Sequence, residues 1–429
     1  MESKILIKAF LWKGLSFLVS IVITIVLAHV FKAGFSAEFQ FLIYTCSLFA
    51  SFFILGLDVS ISHFLSRKQI SIGWINSILI GIPLMSLFIS LPAIYFIWKK
   101  GYGTEMPARE VFIFAGLYIA GTILINLSSA ILTAIQKNHF VSKVSFFYNL
   151  ILLMLILSVF FFLPMSIRIQ WICRLWFFFV FIQGCYLFVY SKKLSKGRFV
   201  KQNPTDVSLS KVIAFSFFVF FINYIFLIAG RIPIFFLHSH ESSYVLGNYI
   251  YTYKLLEYGA TIAAFIYFPV ISLAASESDK IEKLILFLAR LCNTAVLIIG
   301  IIVLLYGQYI FPILLGKSFD MVGEILIYLF PGLIAMCSSN FFTAYFYGKG
   351  LLKYNLISSC IMLFFILVLI VPFAKLWDVK GVSIAFSISN LMSFSYDLFI
   401  FRKFSKYSFM DVFILSKTDL NRFISRKGK

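Results

Sequence analysis

Four basic residues lie within or beside long apolar segments of this chain, where a charge is costly. They are Arg174, Arg231, Lys254 and Arg290. A charge at the centre of a bilayer costs about 2.5–3.5 kcal/mol on insertion scales, so such residues persist mainly where they face protein or water. Guanidinium and ammonium groups bind phosphate and carboxylate oxygens through charge-assisted hydrogen bonds. These cations therefore predict a polar interior that receives an anionic ligand.

The composition indicates a membrane protein. Of the 429 residues, 61% are hydrophobic and only 13% are charged, which is far from the composition of soluble domains. The formal net charge is +20. In a membrane protein, Lys and Arg in the loops indicate the orientation in the bilayer. We therefore expect membrane lipid, and no nucleic acid, as a partner. All six cysteines fall inside apolar segments, with no evident disulfide role.

Twelve apolar segments have the length needed to cross a bilayer. We predict an all-α polytopic fold of about 12 transmembrane helices in two six-helix halves, the MATE-like arrangement. The predicted spans are 9–31, 39–62, 73–97, 110–133, 143–163, 171–191, 212–236, 246–275, 284–306, 324–347, 354–373 and 381–402. Lys and Arg are concentrated in the loops on the side of both termini, which predicts cytoplasmic N and C termini.

The sequence also predicts a division into halves. The predicted parts are an N-terminal half (1–191), a cytoplasmic linker (192–211), a C-terminal half (212–402) and a basic cytoplasmic tail (403–429). The stretch 36–48, entering the second span, resembles 243–255, entering the eighth. Equivalent positions in two halves suggest a parallel repeat, in which a substrate site lies between the halves and access alternates by rocking.

Four spans carry polar side chains at helical spacing, which places each group on one face. The groups are Lys13, Ser16, Ser20 and Thr24; Thr122, Asn126, Ser129 and Thr133; Gly247, Tyr251, Lys254, Tyr258 and Thr261; and Ser383, Ser387, Asn390 and Asp397. Serine and threonine alone would favour simple helix packing. Lys254 and Asp397 lie on the same stripes, and they favour a wet central cavity.

Arg231 is the strongest candidate ligand for a cargo, because it lies deep in the seventh span. The predicted substrate-cavity residues are Arg231, Lys254, Arg174, Tyr251, Tyr258, Asn126 and Asn390. Two structural alternatives stay open. Arg231 could pair with Glu257 and pin the seventh span to the eighth, or Glu257 could pair with Lys254 within its own helix. Arg174 and Arg290 are close enough to span ends to snorkel.

Three acids are candidate sites for coupling to a proton or sodium gradient: Glu257, Asp58 and Asp397. Asp58 and Asp397 lie near predicted cytoplasmic ends, where a solvated structural role is the alternative. The five histidines are scattered, the full phosphate-loop pattern G-x-x-x-x-G-K-[ST] does not occur and every loop is short. We therefore predict a transporter rather than an enzyme, with no catalytic residue, no metal and no cofactor.

Several short motifs occur in a fixed order along the chain. They are Glu38-Phe39 followed by Gly56-Leu57-Asp58, Gly230-Arg231 followed by Gly247-Asn248-Tyr249, and Leu315-Gly316-Lys317-Ser318-Phe319. As a set they resemble the Wzx-type O-antigen flippases, in the polysaccharide-transporter branch of the multidrug/oligosaccharidyl-lipid/polysaccharide (MOP) exporter superfamily. The chain departs from that family at Gly230, where an acid often precedes the arginine. That departure makes self-neutralisation of Arg231 less expected.

The resemblance implies a cargo of undecaprenyl-pyrophosphate-linked oligosaccharide, the repeat unit of O antigen in lipopolysaccharide or of a capsular or other surface polysaccharide. It would pass from the cytoplasmic to the outer leaflet of the bacterial plasma (inner) membrane. Arg231 and Lys254 would bind the diphosphate, and Tyr and Asn side chains the sugars. A polysaccharide polymerase and a chain-length regulator are the implied protein partners.

Other classes of membrane protein fit the sequence less well. A MATE-type drug or organic-cation antiporter would place acids, rather than Arg and Lys, at the cavity centre. A peptidoglycan-precursor flippase resembles a longer, fourteen-span design. A membrane polysaccharide polymerase or ligase needs a large external loop with basic residues, whereas the longest predicted external loop is about 98–109.

Overall fold

The computed structural model describes residues 2–66, 72–99, 108–198, 209–264 and 280–404. These residues form eleven α-helices and one 3-10 helix at Lys317–Phe319. The α-helices are α1 (Glu2–Ile54), α2 (Leu57–Ser66), α3 (Ile72–Lys99), α4 (Ala108–Ala134), α5 (Asn138–Phe162), α6 (Met165–Arg198), α7 (Leu209–His240), α8 (Ser243–Ala264), α9 (Lys280–Leu315), α10 (Val322–Gly348) and α11 (Leu352–Phe404). The predicted all-α class is confirmed.

Two helices, α1 and α11, are much longer than one membrane crossing. Each has 53 residues, about 80 Å at 1.5 Å per residue, against roughly 30 Å of hydrocarbon. Each is broken by non-helical backbone, α1 at Lys32 and α11 at Trp377 and Asp378. The first two predicted spans lie on either side of the first break, and the last two on either side of the second.

The second predicted span, 39–62, is not one continuous helix. It runs from α1 into α2 across a turn at Leu55 and Gly56, both of which have positive φ. A Cβ at Gly56 would lie 2.4 Å from the carbonyl oxygen of Ser216 in α7. Glycine is therefore required here twice, for its backbone angle and for this close approach.

Nine of the described helices are long and apolar enough to cross a membrane. The chain is accordingly a multi-pass membrane protein. The helix α8, which contains the start of the eighth predicted span, is more polar and is not one of the nine. The rest of that span, 265–275, lies outside the described residues. The count of twelve spans and the cytoplasmic termini stay predictions.

The chain divides into two compact units, Met1–Tyr224 and Ile225–Lys429. The core of the first unit is aromatic: the ring of Phe177 lies 4.8 Å from that of Phe114 and 5.6 Å from that of Phe39. Helices α4 and α6 approach closely at two glycines, because a Cβ at Gly184 would lie 2.7 Å from the carbonyl oxygen of Gly121. Small residues at such crossings allow tight helix packing in lipid.

In the second unit, α10 packs against α8, α9 and α11. Its buried side includes Phe341, Phe342 and Phe346. A Cβ at Gly323 of α10 would lie 2.6 Å from the backbone of Gly307 in α9, so this crossing also depends on glycine. The predicted division of the chain around a linker at 192–211 stays a prediction.

Candidate functional site

Arg231 forms an ion pair inside the second unit. Its Nη2 lies 2.9 Å from Oε1 of Glu257, which joins α7 to α8. The residue is only 8% exposed. The guanidinium carbon lies 5.3 Å from the centre of the Tyr253 ring, a distance suited to a cation–π contact. One buried cation is thus held by a carboxylate and an aromatic face of the same helix.

The local sequence of α7 explains this arrangement. Gly230 has no side chain, and a Cβ there would lie 2.7 Å from the Tyr253 hydroxyl oxygen. Glycine therefore lets the Tyr253 ring approach α7 beside Arg231. Pro233 follows two residues later and cannot donate the backbone hydrogen bond to the Ala229 carbonyl, which loosens the helix at this point.

The acid that neutralises Arg231 is therefore Glu257 of α8, because the preceding residue, Gly230, has no side chain. Of the two pairings expected for Glu257, the structure contains the one with Arg231. Lys254, one turn earlier on α8, is half-buried and interacts electrostatically with the same carboxylate. Two cations thus face one acid, and their formal charges leave one positive charge.

The other predicted residues of α8 are placed differently. Tyr251 is 1% exposed, and its ring lies 4.4 Å from that of Phe319, within the core of the unit. Tyr258 is half-buried on the turn that contains Glu257. Tyr253, which contacts Arg231, was not among the residues predicted from the sequence. The spacing could have indicated it, because residues four apart share a helix face and Tyr253 precedes Glu257 by four.

Two of the sequence motifs meet at the start of α8. The Asn248 side-chain amide donates hydrogen bonds to the carbonyl oxygens of Tyr244 and Ser318, both at 3.1 Å, and its oxygen accepts one from the Met321 amide at 3.2 Å. The Tyr244 hydroxyl donates to Asp320, and this hydrogen bond raises the pKa of Tyr244 to about 12. These contacts fix α8 against the turn before α10 and so position Glu257.

Three predicted residues lie in the first unit. Arg174 of α6 is paired with Glu110 of α4 at 2.6 Å, and its side chain is 44% exposed. Asn126 is half-buried in α4. Asp58 lies in the first turn of α2, where its carboxylate accepts hydrogen bonds from its own and the next backbone N–H. Acids are favoured at that position because they satisfy free amides and complement the helix dipole.

The remaining predicted residues lie in the second unit. Asn390 is 3% exposed, and its amide donates to the Phe386 carbonyl at 2.9 Å. Asp397 is 1% exposed, although its position near a predicted helix end suggested a solvated role. Arg290 of α9 is also buried, and its Nε donates to the Leu286 carbonyl at 3.3 Å. Within the described ranges no three His, Cys, Asp or Glu side chains cluster as metal ligands.

No protein-family model matches the sequence, and no curated protein matches it. Solved structures do match the fold. A MOP superfamily transporter from Pyrococcus furiosus, described as having a binding pocket of reverse polarity, matches with a TM-score of 0.69 and 14% identity, over 93% of this chain and 95% of that one. The MATE transporter VcmN of Vibrio cholerae matches with a TM-score of 0.66 and 10% identity, over 95% and 99%.

A third similar structure is the lipid II flippase MurJ in an inward closed conformation. It matches with a TM-score of 0.65 and 14% identity, over 92% of this chain and 87% of that one. These likenesses are at the level of architecture. The chain has a MATE-like fold, which the solved flippase and drug-transporter structures share.

Proposed function

We propose that this protein is a flippase for an anionic lipid-linked oligosaccharide. Its cargo is an undecaprenyl-pyrophosphate-linked repeat unit, moved from the cytoplasmic to the outer leaflet of the bacterial plasma membrane. The observation that carries the proposal is the buried Arg231–Glu257 pair in a chain with this fold. The presence of a lipid II flippase among proteins of the same fold supports a lipid-linked cargo.

The charges around Arg231 favour an anionic cargo. Arg231 and Lys254 together exceed Glu257 by one positive charge, and an organic cation would be repelled by that excess. A diphosphate carries more negative charge than the Glu257 carboxylate and offers more acceptor oxygens. It can therefore replace the carboxylate at Arg231, whose planar guanidinium binds phosphate oxygens in bidentate fashion.

The remaining parts of the cargo suit other features of the chain. Sugar hydroxyls pair with amide and hydroxyl side chains, and sugar faces pack on aromatic rings such as Tyr258. The prenyl tail stays in the surrounding lipid. A sodium or proton gradient supplies the energy, and a polysaccharide polymerase with its chain-length regulator uses the flipped repeat units.

Deletion of the gene in its host tests the proposed function. The expected result is loss of surface polysaccharide, with undecaprenyl-linked repeat units accumulating on the cytoplasmic leaflet. Single repeat units that reach the outer leaflet but remain unpolymerised would refute the flippase and indicate a polymerase. Unchanged polysaccharide would also refute it, and efflux of cationic drugs would then be measured as the property of an antiporter.

A further inference from the structure

A second polar cluster lies in the second unit, away from the Arg231–Glu257 pair. It forms where α10 packs against the two segments of α11. The hydroxyl oxygens of Ser358 and Ser393 lie 2.7 Å apart and join the two segments. The hydroxyls of Ser358 and Ser339 hydrogen-bond the carboxylate of Asp397. Three hydroxyls and one carboxylate thus converge inside the protein.

Two oxygen acceptors in this cluster have no hydrogen-bond partner among the described residues. They are Oδ1 of Asp397 and Oδ1 of Asn355, whose side chains are 1% and 2% exposed. The nitrogen of Asn355 is used, since it donates to the Thr343 carbonyl at 3.3 Å. A buried acceptor without a partner costs about 1–3 kcal/mol, so two together call for a ligand that both oxygens can bind.

The helix geometry places both acceptors at the same level. The Ser358–Ser393 contact fixes the register of the two antiparallel segments of α11. Asn355 precedes Ser358 by three residues and Asp397 follows Ser393 by four, so both are displaced by roughly one turn in the same direction. Asp397 and Asn355 therefore lie beside each other along the same end of the cluster.

The charge of the cluster selects the ligand. The partners of the Asp397 carboxylate are hydroxyls, and it forms no ion pair with another described residue. An ionised carboxylate removed from water needs a compensating positive charge. Carboxylate, amide and hydroxyl oxygens are hard ligands that suit alkali and alkaline-earth cations. A single carboxylate balances one positive charge, which favours a monovalent ion over calcium.

We propose that this cluster is a sodium-binding site. Its ligands are the free oxygens of Asp397 and Asn355 together with the hydroxyls of Ser339, Ser358 and Ser393. Sodium bound there links α10 to both segments of α11, so occupancy stabilises the second unit. The site is separate from the Arg231–Glu257 pair and does not depend on the identity of the cargo.

The test measures sodium binding to the purified full-length protein in lipid nanodiscs. Sodium chloride is exchanged for choline chloride at constant ionic strength, and the thermal unfolding midpoint is recorded together with equilibrium binding of radioactive sodium. We expect one sodium ion per chain and an unfolding midpoint that rises with sodium until it saturates, because a ligand that binds only the folded state stabilises it. Asp397→Asn should lose both effects. Asp378→Asn removes an exposed carboxylate of the same helix and should keep both.

Several results would overturn the proposal. One is a midpoint that is the same in sodium and choline. Another is a midpoint that depends only on pH, which would mean that Asp397 holds a proton instead. A third is sodium binding that persists in Asp397→Asn. If that variant does not fold, Ser393→Ala and Asn355→Ala replace it, and each should raise the sodium concentration needed for half-maximal stabilisation. Because the readout is ion binding, failure here is distinct from failure to flip lipid.

Discussion

At the scale of single residues, the Arg231–Glu257 pair has two separable roles. As a structural link it holds α7 to α8, and removal of Arg231 would take away the ion-pair partner that α7 provides for the Glu257 carboxylate. Breaking a fully buried pair costs about 3–5 kcal/mol. Because Glu257 keeps 32% exposure and water screens its charge, we expect a cost of about 3 kcal/mol or less here. As a cargo ligand, Arg231 would bind the anionic cargo directly, whereas Glu257 would not. Variants of the two residues therefore distinguish the roles.

Gly230 and Tyr253 should show energetic coupling. Gly230→Ala places a Cβ 2.7 Å from the Tyr253 hydroxyl oxygen, and overpacking of this kind costs about 1–3 kcal/mol. Alanine regains about 1 kcal/mol of helix propensity, so we expect a net loss of about 1 kcal/mol. In a Tyr253→Phe background the clashing oxygen is absent, and Gly230→Ala should then stabilise the protein. Thermal unfolding of the four proteins measures this cycle.

The control for that cycle is Gly14→Ala, because a Cβ at Gly14 meets nothing within 4 Å. It should stabilise the protein slightly in both backgrounds. Equal destabilisation by Gly230→Ala with and without the Tyr253 hydroxyl would contradict the contact.

The role of the predicted site residues as cargo or ion ligands stays a prediction, but the structure shows where they lie. Arg231, Lys254 and Glu257 were identified because charges in apolar segments are costly, and the structure brings these three together. Tyr253 could not be selected in the same way, since it is one of 22 tyrosines and its contact depends on the packing of α7 against α8. Asp397 was expected near solvent because it lies close to a predicted helix end. Its burial depends on packing against α10, which is distant in the sequence.

At the scale of helices, paired glycines allow close crossings. Gly121→Ala should disturb the α4–α6 crossing, because its Cβ would lie 2.9 Å from the backbone of Phe181, which cannot rotate away. We expect a loss of about 1–3 kcal/mol, measured by thermal unfolding. Gly116→Ala lies on the same helix and would make only ordinary contacts, the nearest at 3.6 Å from Leu87. Equal effects of the two substitutions would contradict the proposed role of the crossing.

The sequence located the helices better than their interruptions. Apolar runs of spanning length predicted the helical segments on both sides of the breaks in α1 and α11. The breaks themselves occur at Lys32 and at Trp377–Asp378, where no proline marks them in the sequence. In α11 the turn depends on a close approach, since a Cβ at Gly381 would lie 1.9 Å from the Phe373 carbonyl oxygen. Contacts of this kind form only in the folded chain, so no local sequence pattern predicts them.

At the scale of the whole molecule, the distribution of Lys and Arg predicts the orientation in the membrane. Ser242 follows α7 and should face outward, whereas Lys349 follows α10 and should face the cytoplasm; both are exposed. With the six natural cysteines replaced, Ser242→Cys should react with a membrane-impermeant maleimide added to intact cells. Lys349→Cys should react only after the cells are opened. The reverse pattern would place both termini outside.

The composition predicted the class of fold and the similar structures confirm it, while the cargo depends on a site that the fold alone does not specify. Flippases and drug transporters share this architecture. We expect the sign of the charge around Arg231 to distinguish the two kinds of transporter. The excess positive charge around Arg231 should therefore favour anionic substrates over cationic ones.

The most direct test is flipping by the purified protein in liposomes that contain a fluorescent undecaprenyl-pyrophosphate-linked oligosaccharide. A membrane-impermeant quencher measures how fast the label changes leaflet. We expect rapid flipping by the native chain and by Glu257→Gln, and loss of flipping in Arg231→Ala. Flipping should stay normal in Arg402→Ala, which removes an exposed arginine of α11. Flipping that survives in Arg231→Ala, or that is lost equally in Glu257→Gln, would contradict a cargo-binding role for Arg231.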